Sequence, residues 1–132
     1  MSLKHLGTKN ILLAEDDTFN AQLVRTLLKK ISDFNVVMAH DGKHTLELLE
    51  SSEKFDMLLL DIRMPIIDGM DVLKKIRSNS IFNSMPIIII SIDNNEDELR
   101  AIGANEFVNK PFNIEDLSSK ISFCFAHKSS TI

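Results

Sequence analysis

Three short apolar runs constrain this chain more than any other feature: NILLA at Asn10–Ala14, MLLL at residues 57–60 and IIII at residues 87–90. Each has the length and aliphatic character of a strand buried on both faces. Each stops abruptly at a polar residue, namely Glu15, Asp61 and Ser91. Between them the periodicity turns helical. Thr18 reads as the N-cap of an amphipathic helix whose apolar face runs through Phe19, Leu23 and Leu27, with Val24, Leu28 and Ile31 alongside. Lys29 and Lys30 suit the negative end of its dipole. Residues 34–39 read as a second strand, broken by Asp41-Gly42, and residues 45–50 as a helix facing inward through Leu46 and Leu49. Gly69–Arg77 reads as a helix through Met70, Leu73 and Ile76. After a polar loop at 78–85 and the isoleucine strand, residues 98–102 read as a short helix ended by Gly103. Glu106–Asn109 is a short strand, and Asn113 caps a last helix striped by Ile114, Leu117, Ile121 and Phe125. Strand and helix alternate five times. That pattern predicts an α/β fold: a parallel sheet with right-handed crossovers and helices on both faces.

Composition narrows the partners. At 132 residues, with 44% hydrophobic and 26% charged residues, the chain is expected to be one soluble domain with a real core. A net charge of −4 and no basic stripe argue against binding through nucleic-acid phosphates. No apolar run is long enough to span a bilayer. The single cysteine, Cys124, cannot form an internal disulfide, which fits a reducing compartment and leads us to expect the cytoplasm. His5, His40, His44 and His127 are scattered and lack metal-ligand spacing.

The chemistry sits where the strands end. In open parallel sheets, ligands bind outside the carboxyl ends of the strands. There this chain offers Glu15, Asp16 and Asp17 after the first strand, Asp61 after the third, Ser91 after the fourth and Lys110 after the fifth. Each has a bland reading. Asp61 alone is a turn cap, Ser91 alone a strand-end serine, Lys110 alone a solvated lysine and the acidic run a solvated loop. Together they form one edge with carboxylates, a hydroxyl and an amine. The carboxylates can hold Mg²⁺, which screens their repulsion. A carboxylate can also act as the nucleophile of phosphoryl transfer, with cation, ammonium and hydroxyl sharing the charge on the phosphoryl oxygens.

Four segments in order, ILLAED, LLLDIRMPIIDG, PIIIIS and GANEFVNKPF, resemble the receiver domains of two-component response regulators. The likeness runs from Asn10 to about Ala126. It implies a flavodoxin-like five-stranded sheet of order 2-1-3-4-5. It implies a unit spanning residues 10–127, with a lead-in at 1–9 and a tail at 128–132. By the same resemblance Asp61 is the phosphoacceptor, and Asp16 and Asp61 bind Mg²⁺ directly. Glu15 acts through water, and the Arg63 carbonyl is a further ligand. Ser91 is then the switch hydroxyl, Lys110 the phosphate-binding lysine, Phe107 the aromatic switch residue and Lys110-Pro111 a cis peptide. The expected partner is a histidine kinase or a histidine phosphotransfer protein. The chain is expected to be a stand-alone regulator or the receiver of a hybrid kinase.

Three departures from the family pattern stand out. Ile92 follows the switch serine where the family usually has a small residue. Only eleven residues separate Ser91 from Gly103, about one helical turn fewer than usual, so the fourth helix should be short. Phe107 lacks a tyrosine's hydroxyl. The first two would suit a degenerate receiver serving as an unphosphorylated interaction module; the complete acidic set weighs against that. A small-molecule phosphohydrolase is a weaker reading still, since no substrate pocket is legible. Arg63 and Asp93 carry opposite charges on loops flanking Asp61; either they pair across its entrance or both point into solvent.

Overall fold

The computed structural model describes residues 7–92, 95–111 and 113–127. In chain order the elements are β1 (Asn10–Ala14), α1 (Thr18–Ile31), β2 (Asn35–Ala39), α2 (Gly42–Glu50), β3 (Met57–Asp61) and α3 (Gly69–Arg77). A 3-10 turn (Ser80–Phe82) precedes β4 (Ile87–Ser91), α4 (Glu96–Ile102), β5 (Glu106–Asn109) and α5 (Ile114–His127). The strands form one sheet of order β2-β1-β3-β4-β5, and every pairing is parallel. The α/β order expected from the resemblance is the order found.

Alternation along the strands divides the core in two. Ile11, Leu13, Met57, Leu59, Ile88, Ile90 and Val108 pack against α1 and α5. Leu12, Ala14, Leu58, Leu60, Ile87, Ile89 and Phe107 pack against α2, α3 and α4. All five residues of β3 and of β4 are buried, as strands with helical cover on both faces must be.

Acidic and amide side chains start most helices. Asp17 accepts from the Phe19 and Asn20 amides, Asp41 from His44, Asp68 from Asp71, and Asn113 from Glu115 and Asp116. The cap of α1 is therefore Asp17 and not Thr18: its carboxylate reaches two orphan N–H groups from one residue earlier. Asp41 likewise lets α2 begin at Gly42, ahead of the expected residue 45. Asn95 precedes α4 without a side-chain capping bond.

The apolar face expected for α1 is also corrected. Phe19 is 77% exposed and Leu23 40%, while Ala21, Val24, Leu28 and Ile31 face the sheet. The helix carries more apolar residues than one stripe can bury, and the small Ala21 lies against the strands. At the last helix, Ile114 is partly exposed and Leu117, Ile121 and Cys124 form the buried stripe.

Two fastenings hold the loops around this frame. Arg77 at the end of α3 donates to the carbonyls of Gly103, Phe82 and Met85 and to Asn105 Oδ1, at 2.7–2.9 Å. It ties the end of α4 to the α3–β4 connection. On the same face Gly42 lies against the loop after β3: a Cβ there would sit 1.8 Å from the Ile67 carbonyl oxygen. Gly42→Ala should therefore lower stability by roughly 1–3 kcal/mol, the usual scale of overpacking against backbone. An unchanged urea midpoint would show that this loop yields freely.

Candidate functional site

Strand register brings the polar strand ends together. Ala14 pairs with Leu60, so Glu15 stands level with Asp61. Asp61 pairs with Ile90, so Ser91 lies one step beyond it. Ser91 pairs with Asn109, which leaves Lys110 as the next residue out on β5. The Lys110–Pro111 peptide is cis, as the resemblance implied.

Glu15 and Asp61 are both buried, and Ser91 is 7% exposed. Lys110 Nζ lies 3.1 Å from Glu15 Oε1 and 3.4 Å from Asp61 Oδ2. Asp61 Oδ1 accepts from the Arg63 amide at 3.0 Å, and Glu15 Oε2 from the Asp17 amide at 3.2 Å. The contact of Lys110 with Glu15 has ion-pair distance but lacks hydrogen-bond alignment, so Glu15 Oε1 is buried without a hydrogen-bond partner. Burial pushes the Glu15 carboxyl up to about 7, helped by the neighbouring Asp61 carboxylate; Lys110 and the Asp17 amide offset part of this. Burial alone would lower the Lys110 ammonium, but Asp61 and Glu15 outweigh it and hold its pKa above the ordinary lysine value.

Oxygens of Glu15, Asp16 and Asp61 lie within 4.8 Å of one another. Three carboxylates at that spacing, one with an orphaned buried oxygen, suit a small hard cation such as Mg²⁺. A pH dependence follows for the metal-free chain. The folded Glu15 holds its proton up to about pH 7, whereas the unfolded one releases it near 4.5. This group's contribution to stability is thus greatest below 4.5 and declines as pH rises to 7. In EDTA the stability should show that loss, and saturating Mg²⁺, which binds the ionised carboxylate, should reverse it. Urea midpoints at pH 5 and 8 with and without Mg²⁺ measure both; a loss that Mg²⁺ leaves untouched would point to other groups.

Not every expected residue joins the cluster. Asp17, the third acid of the run, is committed to capping α1. Phe107 lies apart, 5% exposed on the α4 side of the sheet, with the Arg100 guanidinium over its ring. Sequence reading missed Arg100, because no local spacing announces a cation that meets an aromatic seven residues on across a helix–strand turn. Asp93, the candidate partner of Arg63, lies outside the described residues. His40 and His44 are less scattered than they looked: their rings are 5.6 Å apart, and His44 Nδ1 accepts from the His40 amide. A groove of about 660 Å³, floored by Leu49, Phe55, Phe82 and Met85, lies at the opposite edge of the sheet and shares no residue with the acidic cluster. No helix among the described residues is long and apolar enough to cross a membrane.

A doubly wound parallel sheet with acidic groups and a lysine gathered at its carboxyl edge defines the class. Residues 11–122 match the family model of the response regulator receiver domain. The chain is 38% identical over 114 residues to the transcriptional regulatory protein CpxR of Escherichia coli (strain K12), covering 84% of this chain and 47% of that protein. It is 31% identical over 115 residues to the hybrid signal transduction histidine kinase I of Dictyostelium discoideum, covering 80% of this chain and 6% of that one. Among solved structures, the Francisella response regulator 1452 receiver domain superposes with a TM-score of 0.81 at 29% identity, over 92% of this chain and 99% of its own. This chain belongs to the response regulator receiver domain family and is a signalling domain of two-component systems. It spans about half the length of the transcriptional regulator it matches.

Proposed function

We propose that residues 10–127 form a receiver unit that accepts a phosphoryl group on Asp61, from a histidine kinase or a histidine phosphotransfer protein in the cytoplasm. One observation carries this reading: a buried carboxylate at the end of β3 with two further carboxylates within 4.8 Å and an ammonium 3.4 Å away. An Asp61 oxygen attacks the phosphorus of a phosphohistidine. The P–O bond forms as the P–N bond breaks, and the electron pair stays with the imidazole, which takes a proton from solvent. Attack of water on the same phosphorus later returns inorganic phosphate and the free carboxylate.

The residues around Asp61 have separable tasks. Asp16 and Asp61 would hold Mg²⁺ directly and Glu15 through water, with the Arg63 carbonyl as a further ligand. When bound, the cation offsets the carboxylates and draws charge from the phosphoryl oxygens. Lys110 supplies a second positive charge to those oxygens, and the Ser91 hydroxyl donates to them as the loop closes. Ser91 and Phe107 then pass the change to a partner surface. The unphosphorylated interaction module is the less favoured reading, because the acidic cluster is complete and assembled. Phosphoramidate with Mg²⁺ should add one acid-labile phosphoryl group, read by intact mass. Absence of any gain, in protein shown to bind Mg²⁺, would overturn the proposal.

A further inference from the structure

Phe107 is held by a group that no motif in the sequence marks. The guanidinium carbon of Arg100 lies 4.7 Å from the centroid of its ring. A cation over an aromatic face within about 6 Å is attracted by the ring's quadrupole, and the flat guanidinium also stacks well. Two further contacts fix the fork in that place. One arm donates to the Asn105 carbonyl at 2.9 Å, and the other lies 3.4 Å from Glu106 Oε1. Both anchors belong to the two residues directly before Phe107, so the clamp and the ring share one stretch of chain.

The helix that carries Arg100 is itself tied down at that end. The Gly103 amide bonds back to the Leu99 and Arg100 carbonyls, and the Gly103 carbonyl accepts from Arg77. At its other end, Asn95 precedes α4 with no side-chain capping bond, and its buried Oδ1 has no partner among the described residues.

We infer that Arg100 is a positioning residue: it holds the Phe107 ring in its buried rotamer and so raises the response of the domain when the Asp61 site is loaded. The contact exists only while the ring lies beneath the guanidinium. Arg100 therefore favours the buried over the outward rotamer by its full strength, roughly two- to fivefold in population. A tyrosine can fix its ring through its hydroxyl; this phenylalanine cannot, and the cation supplies the missing hold. Phe107 pairs in register with Ile89, two residues before Ser91. A ring already seated beside β4 leaves less rearrangement for Ser91 to complete when it closes on a bound group. This second half rests on the proposed reading of Asp61 and Ser91.

The two halves can be tested separately in the chain carrying 4-fluorophenylalanine, with the signal of residue 107 assigned by its loss in Phe107→Leu. Without phosphodonor, Arg100→Gln should move the residue-107 signal toward that of a solvent-exposed ring. Arg100→Lys should fall between, and Glu106→Gln, which weakens one anchor of the guanidinium, should move the signal the same way by less. A residue-107 signal unchanged in Arg100→Gln overturns the holding role. With Mg²⁺ and beryllofluoride as probe, Arg100→Gln should weaken apparent affinity roughly two- to fivefold, and do so no longer in a Phe107→Leu background. Equal weakening in both backgrounds, or none, overturns the claim that Arg100 acts through the ring. If wild type fails to bind beryllofluoride at all, the phosphoacceptor reading falls and the response half of the inference with it; the fluorine signal still decides whether Arg100 holds the ring.

Discussion

Asp61→Asn should abolish phosphoryl uptake from acetyl phosphate or phosphoramidate, down to the background of the uncatalysed donor. An amide oxygen is a far poorer nucleophile than a carboxylate, and the substitution also removes one of the three carboxylates proposed to hold the cation. EDTA should have an effect of the same order on wild type, because without Mg²⁺ the donor's anion meets three clustered carboxylates that the Lys110 ammonium offsets only in part. A second signature separates loss of the acceptor from loss of the fold. The neighbouring Asp61 carboxylate helps raise the Glu15 carboxyl, after burial itself. Asp61→Asn should therefore narrow the pH window over which the metal-free chain loses stability, while leaving it folded. Persistence of the phosphoryl mass shift in Asp61→Asn would move the acceptor elsewhere. Wild-type uptake in EDTA would remove the cation from the chemistry.

Lys110→Ala should destabilise the metal-free protein and yet tighten its binding of Mg²⁺. Its ammonium is the cation that faces both Glu15 and Asp61. Removing it leaves two buried carboxylates without their counter-charge, a change that costs about 3–5 kcal/mol in fully buried pairs. The lysine side chain is 21% exposed and Glu15 can take up a proton, so roughly 1–3 kcal/mol is expected in EDTA. Mg²⁺ should restore most of that and bind more tightly than to wild type, since a competing positive charge has gone. Phosphoryl uptake should nevertheless fall roughly ten- to a hundredfold, because the lysine's charge on the phosphoryl oxygens is lost. The chain has no tryptophan or tyrosine, so unfolding is best followed by far-ultraviolet circular dichroism and Mg²⁺ binding by calorimetry. Weaker Mg²⁺ binding in Lys110→Ala would mean that the lysine organises the carboxylates rather than competing with the ion.

The places where sequence reading held and failed follow a physical pattern. The runs at Asn10–Ala14, Met57–Asp61 and Ile87–Ser91 were legible because a strand buried on both faces has almost no choice of residue type. Asn113 was legible as a cap, since capping depends on one side chain and two amides next to it. The cap of α1 was misplaced by one residue because Asp17 and Thr18 both satisfy the local rule, and only the path of the chain out of β1 chooses between them. The apolar face of α1 was misjudged for a related reason. Phe19 and Leu23 keep helical spacing as well as Val24 and Leu28 do, and which stripe is buried depends on how the helix lies on the sheet.

By itself, then, the sequence determined the alternation of buried strands and amphipathic helices, and with it a parallel sheet whose polar residues stand at the strand ends. These properties are local, set by hydrophobic period and by turn chemistry a few residues long. Only the tertiary structure decided what those residues touch. Strand register set Glu15 level with Asp61, and the approach of β5 brought Lys110 to both. Burial, which no single segment controls, pushed the Glu15 carboxyl up to about 7. The same holds for Arg77 bridging α3 to Gly103, and for Arg100 over Phe107. Both arginines look like surface charges in sequence, because a long cationic side chain follows no period and its partners are chosen by whichever elements fold against it.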